Sequence, residues 1–183
     1  MRVVSGKYKG RRIHPPKGME ARPTTDFAKE GLFNMLQHSV PLEGIRVLDL
    51  FSGTGNIAVE FLSRGAESVL SVDQDRELFA YQQRTARELG VANWHMIKSD
   101  VFTFLNAHRQ RYDIVFADPP FTLEGIERIP ALVLQHGLLE TDGVLIVEHQ
   151  KRVDLSTLPG YWKHRPYGAV NFSFFKPVEL TQL

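Results

Sequence analysis

The feature that most constrains the fold is an alternation of apolar, strand-length runs with helix-length segments, which begins at Arg46. The candidate strands are Arg46 to Phe51, Ser68 to Asp73, Asn93 to Lys98, Tyr112 to Ala117 and Gly143 to His149. The candidate helices between them are Ile57 to Arg64, Asp75 to Leu89, Val101 to His108 and Glu124 to His136. Strands that are apolar on both faces and separated by helices are typical of a parallel sheet covered on each side.

Further elements flank this alternation. A helix is predicted from Asp26 to His38, where Gly31 costs about 1 kcal/mol relative to alanine and must be held by packing. Two aromatic-rich runs, Tyr161 to Tyr167 and Ala169 to Phe175, are separated by Gly168 and predict an antiparallel hairpin. We therefore expect an α/β fold with a doubly wound, mostly parallel seven-stranded sheet, a C-terminal antiparallel hairpin and ligands at the carboxyl ends of the strands.

Charge is segregated along the chain although the net charge is only +1. Residues 1–25 contain seven Lys or Arg and one acid, and residues 151–183 contain five Lys or Arg and two acids, so the middle is acidic. Since the first segment is also rich in Gly and Pro, it is interpreted as a basic N-terminal arm without core elements, followed by one domain over residues 26–183. Basic ends predict a polyanionic partner, and a flexible tail without a partner is the alternative.

Composition excludes several classes of site. The chain has no cysteine, which removes disulfides, thiolate metal sites and cysteine nucleophiles. Its seven histidines show no paired spacing for metal ligands, so no metal is predicted. Neither a membrane span nor a secretory signal is evident, and we expect a cytoplasmic protein.

The first motif lies where the first strand turns into a helix, in residues 47–58. Gly53 and Gly55 allow a tight turn and a close approach of a ligand to the backbone. Asp73 ends the second strand and is placed to accept both hydroxyls of a ribose, while Asp100 follows the third strand and can accept from an adenine amine. The motif predicts a nucleoside site.

The choice of cofactor depends on Asp49. Gly53, Gly55 and Ala58 also satisfy the dinucleotide fingerprint, which keeps nicotinamide chemistry open. A carboxylate inside the first strand is poorly placed beside a pyrophosphate but well placed beside the ammonium of an amino acid, which favours S-adenosylmethionine. A carboxylate that only caps the turn, or a purely structural glycine turn, are the alternatives.

The second motif, Asp118-Pro119-Pro120-Phe121, follows the fourth candidate strand. Its prolines end the strand and stiffen the turn, which leaves the Pro119 carbonyl available as an acceptor. The Asp118 carboxylate and this carbonyl can accept the two hydrogens of an exocyclic amine, while Phe121 stacks on the base. This arrangement predicts amine methylation, and a strand terminator with a buried Phe is the alternative.

These residues carry a resemblance to a known family. The segment Asp49-Leu50-Phe51-Ser52-Gly53-Thr54-Gly55, with Asp118-Pro119-Pro120-Phe121, resembles the N/D-P-P-Y/F class of S-adenosylmethionine-dependent amino methyltransferases. Gly6 to Arg11, Arg22 to Thr25 and Glu30 to Asn34 are similar to bacterial ribosomal RNA guanine-N2 methyltransferases of the RsmD type. The resemblance extends from Arg2 to about Phe175. Two positions depart from the family pattern. Gly31 stands where a better helix former is usual, which affects stability only. Phe121 replaces the commoner Tyr, which removes a hydroxyl but keeps the ring for stacking.

The resemblance implies methylation of the exocyclic N2 amine of a guanine in small-subunit (16S) ribosomal RNA by a Rossmann-like methyltransferase. The implied cofactor residues, in order from the methionine part through the ribose to the adenine, are Asp49, Gly53, Gly55, Asp73 and Asp100. The implied catalytic residues are Asp118, Pro119, Pro120 and Phe121. The predicted RNA-binding residues are Lys7, Lys9, Arg11, Arg12, Arg22 and Thr24. The expected partner is ribosomal RNA or a small-subunit assembly intermediate, bound by a monomer.

Three alternative functions stay open. A DNA adenine-N6 methyltransferase needs the same amine pocket, although 34 residues after the fifth strand leave little room for a DNA-reading domain. A nicotinamide-dependent reductase is disfavoured by Asp49 and by the absence of a Tyr-x-x-x-Lys relay. The third alternative is a non-catalytic RNA-binding module with a vestigial cofactor site.

Overall fold

A seven-stranded sheet forms the centre of the computed structural model, which describes residues 1–15, 17–18 and 24–178. The strands are β1 (Arg46–Leu50), β2 (Ser68–Asp73), β3 (Trp94–Lys98), β4 (Tyr112–Ala117), β5 (Leu139–Gln150), β6 (Tyr161–Tyr167) and β7 (Val170–Phe175). The helices are α1 (Asp26–Leu36), α2 (Asn56–Ser63), α3 (Arg76–Leu89), α4 (Val101–Ala107) and α5 (Arg128–Gln135). Every predicted element is present, which confirms the predicted fold class.

The order of the strands across the sheet is β3-β2-β1-β4-β5-β7-β6. Strands β1 to β5 run parallel, β7 pairs antiparallel with β5, and β6 pairs antiparallel with β7. From β1 the chain proceeds outward through β2 and β3, and then crosses to β4 on the other side of β1. The order of strands therefore reverses between β1 and β4, and open α/β sheets bind their ligands at such a reversal.

Both faces of the sheet are buried. Side chains alternate along a strand, so the fully buried Val47 belongs to the hydrophobic cluster beneath α1 and α2, while the neighbouring Leu48 belongs to the cluster beneath α4 and α5. Such two-sided burial explains why the strands are continuous apolar runs. Of the helices in the described residues, none has the length and apolar character that crossing a membrane requires.

Two predicted boundaries differ from the structure. Strand β5 begins at Leu139, which pairs with Tyr112, and a register irregularity follows before regular pairing resumes at Val144. The intervening residues are polar, so they conceal the start of the strand from a hydrophobicity pattern. Helix α5 begins at Arg128 because Gly125, with φ of +77°, belongs to the turns that precede it.

The first thirteen residues form a short hairpin rather than a detached arm. Its two sides pair at Arg2 and Arg12, and Val3 donates its N–H to the Arg11 carbonyl at 3.0 Å. Val3 and Ile13 are only 2 % and 7 % exposed and join the hydrophobic core. The interpretation of this segment as lacking core residues is therefore wrong for these two positions.

A buried polar cluster ties this N-terminal hairpin to α1 and α2. The Glu60 carboxylate accepts the backbone N–H groups of Val4 and Ser5 at 3.0 and 3.1 Å, and the Arg64 Nε at 2.9 Å. Lys29 Nζ lies 3.3 Å from Glu60 Oε2 and donates to Asn56 Oδ1 at 2.8 Å. Buried charges are tolerated when they are paired and hydrogen-bonded, so this cluster fixes the hairpin against α2.

Gly31 in α1 is explained by a close contact with the C-terminal hairpin. A Cβ at this position would lie 2.3 Å from a ring carbon of Tyr167, whose hydroxyl donates to the Gly31 carbonyl at 3.1 Å. The expected reliance on tertiary packing is confirmed, because the missing side chain admits the Tyr167 ring. This contact holds the end of β6 beside the middle of α1.

Candidate active site

The two sequence motifs meet at the reversal of strand order. Asp49 lies in β1, and Asp118 follows directly after the adjacent strand β4. The Asp118 N–H donates to the Leu50 carbonyl at 3.3 Å, which joins the carboxyl ends of the two strands. The nucleoside motif and the Asp-Pro-Pro-Phe motif therefore belong to one site at one edge of the sheet.

The glycine turn between β1 and α2 is shaped by its neighbours. Gly55 has φ of +80°, and a Cβ there would lie 2.4 Å from the Trp94 ring. Gly55 is therefore needed for this backbone conformation and for packing against Trp94, and its contact with the cofactor stays a prediction. At Gly53 an added Cβ would find only the Phe51 carbonyl, at 4.0 Å, so the backbone there faces open space.

Two side chains hold the turn in place. Asp73, at the end of β2, accepts the Gly53 N–H at 2.9 Å through Oδ2 and the Asp75 N–H at 2.9 Å through Oδ1. Gln82 of α3 donates from Nε2 to Ser52 Oγ at 2.8 Å and to the Gly53 carbonyl at 2.7 Å. The carboxylate predicted to bind a ribose is thus already tied to the glycine turn, and each of its oxygens retains a lone pair for a ligand.

Asp49 is the most unusual residue of the site. Its side chain is 1 % exposed, and Oδ2 has no hydrogen-bond partner among the described residues. Burial raises the pKa of Asp49 well above its usual range, and the nearby Asp73 charge adds to this, while the backbone of Ala58 opposes it. A buried carboxylate with one unpartnered oxygen is costly unless a cation arrives, so this position fits the ammonium of an amino-acid ligand.

Asp100 stands at the rim of the same edge. It is exposed after β3 and caps α4, where Oδ1 accepts the Thr103 N–H at 2.9 Å and the Thr103 hydroxyl at 3.1 Å. Capping orients this carboxyl group toward the beginning of the helix. Whether it also accepts from an adenine amine stays a prediction.

The Asp-Pro-Pro-Phe segment forms a stiff turn after β4. The Pro120 carbonyl accepts the Leu123 N–H at 2.9 Å, which closes the turn, while Pro119 is buried. No hydrogen bond to the Pro119 carbonyl is formed by any described residue. Asp118 and Phe121 are half-buried, so a planar base can reach them from solvent.

Thr24 and Glu148 complete the site in a way that the sequence did not indicate. The Thr24 side chain is 6 % exposed, and its hydroxyl lies 2.9 Å from Glu148 Oε2 and 3.3 Å from Asp118 Oδ2. Thr24 was expected to bind RNA, but this burial assigns its side chain to the carboxylates. The signal that could have revealed Glu148 is an acid within an otherwise buried apolar strand.

The predicted RNA-binding cations separate into two groups. Lys7, Lys9, Arg11 and Arg12 are exposed on the N-terminal hairpin. Arg22 lies outside the described residues. The first group is therefore exposed to solvent, where a polyanion can reach it.

Comparison with known proteins identifies the family. A family model with the description "Conserved hypothetical protein 95" matches residues 1–176. The chain belongs to this family. Two relatives are named "Ribosomal RNA small subunit methyltransferase D": the Escherichia coli K12 protein is 31 % identical, over 90 % of this chain and 83 % of its own length, and the Buchnera aphidicola (Baizongia pistaciae) protein is 28 % identical, over 97 % and 92 %.

The fold of this Conserved hypothetical protein 95 member is shared with a solved structure. A candidate methyltransferase of Escherichia coli called yhhF has a TM-score of 0.83 and 28 % identity, and each chain covers 97 % of the other. The similarity therefore spans the N-terminal hairpin, the sheet and the C-terminal hairpin together.

Proposed function

We propose that this chain transfers a methyl group from S-adenosylmethionine to the exocyclic N2 amine of a guanine in small-subunit ribosomal RNA, in the cytoplasm and as a monomer. The observation that carries the proposal is that the buried Asp49 in β1, whose Oδ2 has no partner among the described residues, lies beside the Asp-Pro-Pro-Phe turn after β4. The names of the two relatives support ribosomal RNA as the substrate class.

The cofactor fits the donor set of the site. Asp49 offers a buried anion to an ammonium group, and Gly53 offers open space next to bare backbone. Asp73 and Asp100 supply carboxylate acceptors for the ribose hydroxyls and the adenine amine. A buried carboxylate in this set is poorly placed beside a pyrophosphate, which disfavours a nicotinamide cofactor.

S-adenosylmethionine supplies a sulfonium methyl group that is already activated for transfer. The protein therefore has to orient the nitrogen and exclude water. The Asp118 carboxylate and the Pro119 carbonyl accept the two N–H groups of the amine, which directs its lone pair away from the ring and makes it a better nucleophile. Asp118 can also accept the proton that the nitrogen loses.

The geometry of RNA decides how the base enters. The Asp-Pro-Pro-Phe turn cannot reach a guanine amine inside an RNA helix, so the target lies in a loop or is flipped out of the stack. Phe121 offers a ring for stacking, and the basic N-terminal hairpin supplies charge for the phosphates.

A DNA adenine-N6 methyltransferase is the second candidate, because the same pair of acceptors fits an adenine amine. The names of the relatives favour ribosomal RNA over DNA. A non-catalytic RNA-binding module is disfavoured, because Asp49, Asp73, Asp100 and Asp118 all lie at one edge of the sheet, where a cofactor and an amine would need them.

The test is methyl transfer from labelled S-adenosylmethionine to bacterial ribosomal RNA, naked and in small-subunit particles, followed by nucleoside analysis. We expect N2-methylguanosine from one of the two substrates. Label in N6-methyladenosine of DNA would replace the proposal with the second candidate. Cofactor binding without transfer to either RNA substrate would contradict it.

Thr24 provides a prediction about positioning within the site. Thr24→Val removes the hydroxyl that joins Glu148 and Asp118, so we expect kcat to fall about tenfold and stability to fall by about 1–2 kcal/mol. Cofactor affinity should be unchanged, since Thr24 is not among the cofactor residues. Single-turnover kinetics, cofactor titration and chemical denaturation measure the three quantities.

Two further variants separate positioning from stability. Thr25→Val removes the hydroxyl that accepts the Ala28 N–H at the start of α1, at 3.1 Å, and costs about 1 kcal/mol without touching Asp118. Thr24→Ser keeps the hydroxyl and should restore kcat. An equal loss of kcat in Thr25→Val, or failure of Thr24→Ser to rescue, would show that Thr24 acts only through stability.

A further inference from the structure

A cavity lies between the N-terminal hairpin and α3, and its lining contains no residue of the Asp-Pro-Pro-Phe turn. Its volume is about 300 Å³. The lining residues that matter here are Arg11, Arg12, His14, Tyr81, Arg84 and Glu88. It is therefore built from two segments that are distant in the sequence.

The cavity is strongly cationic. Arg11 and Arg12 come from the hairpin and Arg84 from α3, while Glu88 is the one acidic residue in the lining. Among the described residues, none of these three guanidinium groups forms an ion pair with a carboxylate. Three arginines that converge without acidic partners create a field that favours an anion, and guanidinium groups match phosphate oxygens in geometry.

Tyr81 gives the cavity a buried donor. Tyr81 is only 5 % exposed, and its hydroxyl forms no hydrogen bond of good geometry with the described residues, although the Thr85 side chain lies close to it. Burial raises the pKa of Tyr81, and the neighbouring Thr85 offsets part of this shift, so the hydroxyl remains protonated and able to donate. An unpaired buried hydroxyl is costly, and a bound oxyanion would satisfy it.

The position of the cavity relates it to the cofactor turn. Gln82, the residue after Tyr81, holds the glycine turn through Ser52 and Gly53. A phosphate bound beside Tyr81 would thus be held by the same helix that fixes the cofactor turn. This placement suits a long polyanion that also reaches the catalytic edge.

We propose that the cavity formed by Arg11, Arg12, Tyr81 and Arg84 binds one backbone phosphate of the RNA substrate. The proposal rests on the proposed function for the identity of the polyanion. The chemistry that it requires is that of a phosphate oxyanion, which free phosphate shares. Tyr81 and Arg84 are the new members of the RNA-binding surface.

The first experiment removes one charge from α3. For Arg84→Gln we expect affinity for a small-subunit RNA fragment to fall about five- to tenfold at 0.1 M salt, and the slope of log affinity against log salt to decrease by about one. The matched control is Arg87→Gln, one turn further along α3, whose Nε bonds to the Gln83 carbonyl at 3.3 Å outside the cavity. Equal losses in the two variants would overturn the proposal, because they would indicate diffuse attraction.

The second experiment removes only the hydroxyl. For Tyr81→Phe we expect RNA affinity to fall about tenfold while thermal stability is unchanged or higher, because the hydroxyl is unpaired without RNA. A purely structural tyrosine would leave RNA affinity unchanged. That result would overturn the proposal even if Arg84→Gln weakened binding.

Two further measurements distinguish free phosphate from RNA phosphate, and the cavity proposal from the proposed function. Inorganic phosphate should compete with RNA for the wild-type protein and not for Tyr81→Phe. Phosphate that binds without affecting RNA affinity would overturn the assignment to RNA. If the wild type methylates RNA and the cavity variants bind RNA normally, the cavity proposal is wrong and the proposed function stands. If the variants bind RNA more weakly but the wild type does not methylate RNA, the proposed function is wrong and the cavity proposal stands.

Discussion

Asp118→Ala is expected to lower kcat for methyl transfer by about 10²- to 10⁴-fold, the range typical of a lost acid–base or charge-stabilising group. The reason is that the amine would lose one of its two acceptors and its nearest proton acceptor. Cofactor affinity should stay nearly intact, because Asp118 follows β4 whereas the predicted cofactor residues lie in or after β1, β2 and β3. Single-turnover transfer and equilibrium titration with S-adenosylhomocysteine measure the two quantities.

Asp118→Asn separates the two roles of this residue. The amide keeps one acceptor oxygen but cannot take up a proton at neutral pH. If acceptance of a hydrogen bond is the larger effect, as we expect, kcat of Asp118→Asn should be at least about tenfold higher than kcat of Asp118→Ala. A rate as low as that of Ala would instead assign the main role to proton acceptance. A parallel loss of cofactor affinity in either variant would contradict the assignment of Asp118 to the base.

The fold could be predicted from sequence because its strands are buried on both faces. Two-sided burial produces the continuous apolar runs that mark β1, β2 and β4, and the glycine turn marks the first crossover. The start of β5 was missed because Glu140, Thr141 and Asp142 are polar although the strand already pairs at Leu139. Hydrogen bonding of the backbone, which the pattern of side chains does not report, decides that boundary.

The N-terminal hairpin was misread for a related reason. Its Gly, Pro and charge content indicated a solvent-exposed arm, but Val3 and Ile13 enter the core. The cluster that holds it depends on Glu60, whose partners Val4 and Ser5 are more than fifty residues away in sequence. Periodicity within one helix cannot reveal such a partner.

The sequence placed the two motifs of the candidate site at the same edge of the sheet, but it did not connect Thr24 and Glu148 with them. Asp49 and Asp118 could be placed because each follows or lies in a recognisable strand. Glu148 and Thr24 could not be connected, since the hydroxyl bridge between β5 and the segment before α1 spans 124 residues. Gly55 was singled out correctly for the turn, but its close contact with the Trp94 ring could not be predicted from the sequence.

Asp49→Asn is expected to have opposite effects on the free and the cofactor-bound protein. In the free protein the substitution removes a buried carboxyl without a partner on Oδ2, so the thermal midpoint at neutral pH should rise. Cofactor affinity should fall about 10- to 100-fold, because the ammonium loses a charge-assisted hydrogen bond worth about 1.5–3 kcal/mol. Stabilisation by added S-adenosylhomocysteine should be largely lost.

The pH dependence follows from the raised pKa of Asp49. Because the folded pKa lies above the unfolded value of about 3.9, this group makes the free protein less stable as pH rises from that value through the folded pKa. An ammonium partner favours the carboxylate, so cofactor binding releases a proton below the folded pKa. Affinity should therefore weaken by up to tenfold per unit as pH falls through that range, and the Asn variant should lack this dependence.

Asp113→Asn provides the control for a general effect of removing an acid. Asp113 lies at the opposite end of β4 from Asp118, where Oδ2 accepts the Arg46 N–H at 2.8 Å. An asparagine oxygen can still accept that bond, so cofactor affinity and its pH dependence should match the wild type. If Asp49→Asn behaved like this control, Asp49 would be a structural carboxyl group. Rising stability with falling cofactor affinity is a combination that a structural carboxyl group cannot produce, because its removal would change the free and bound proteins alike.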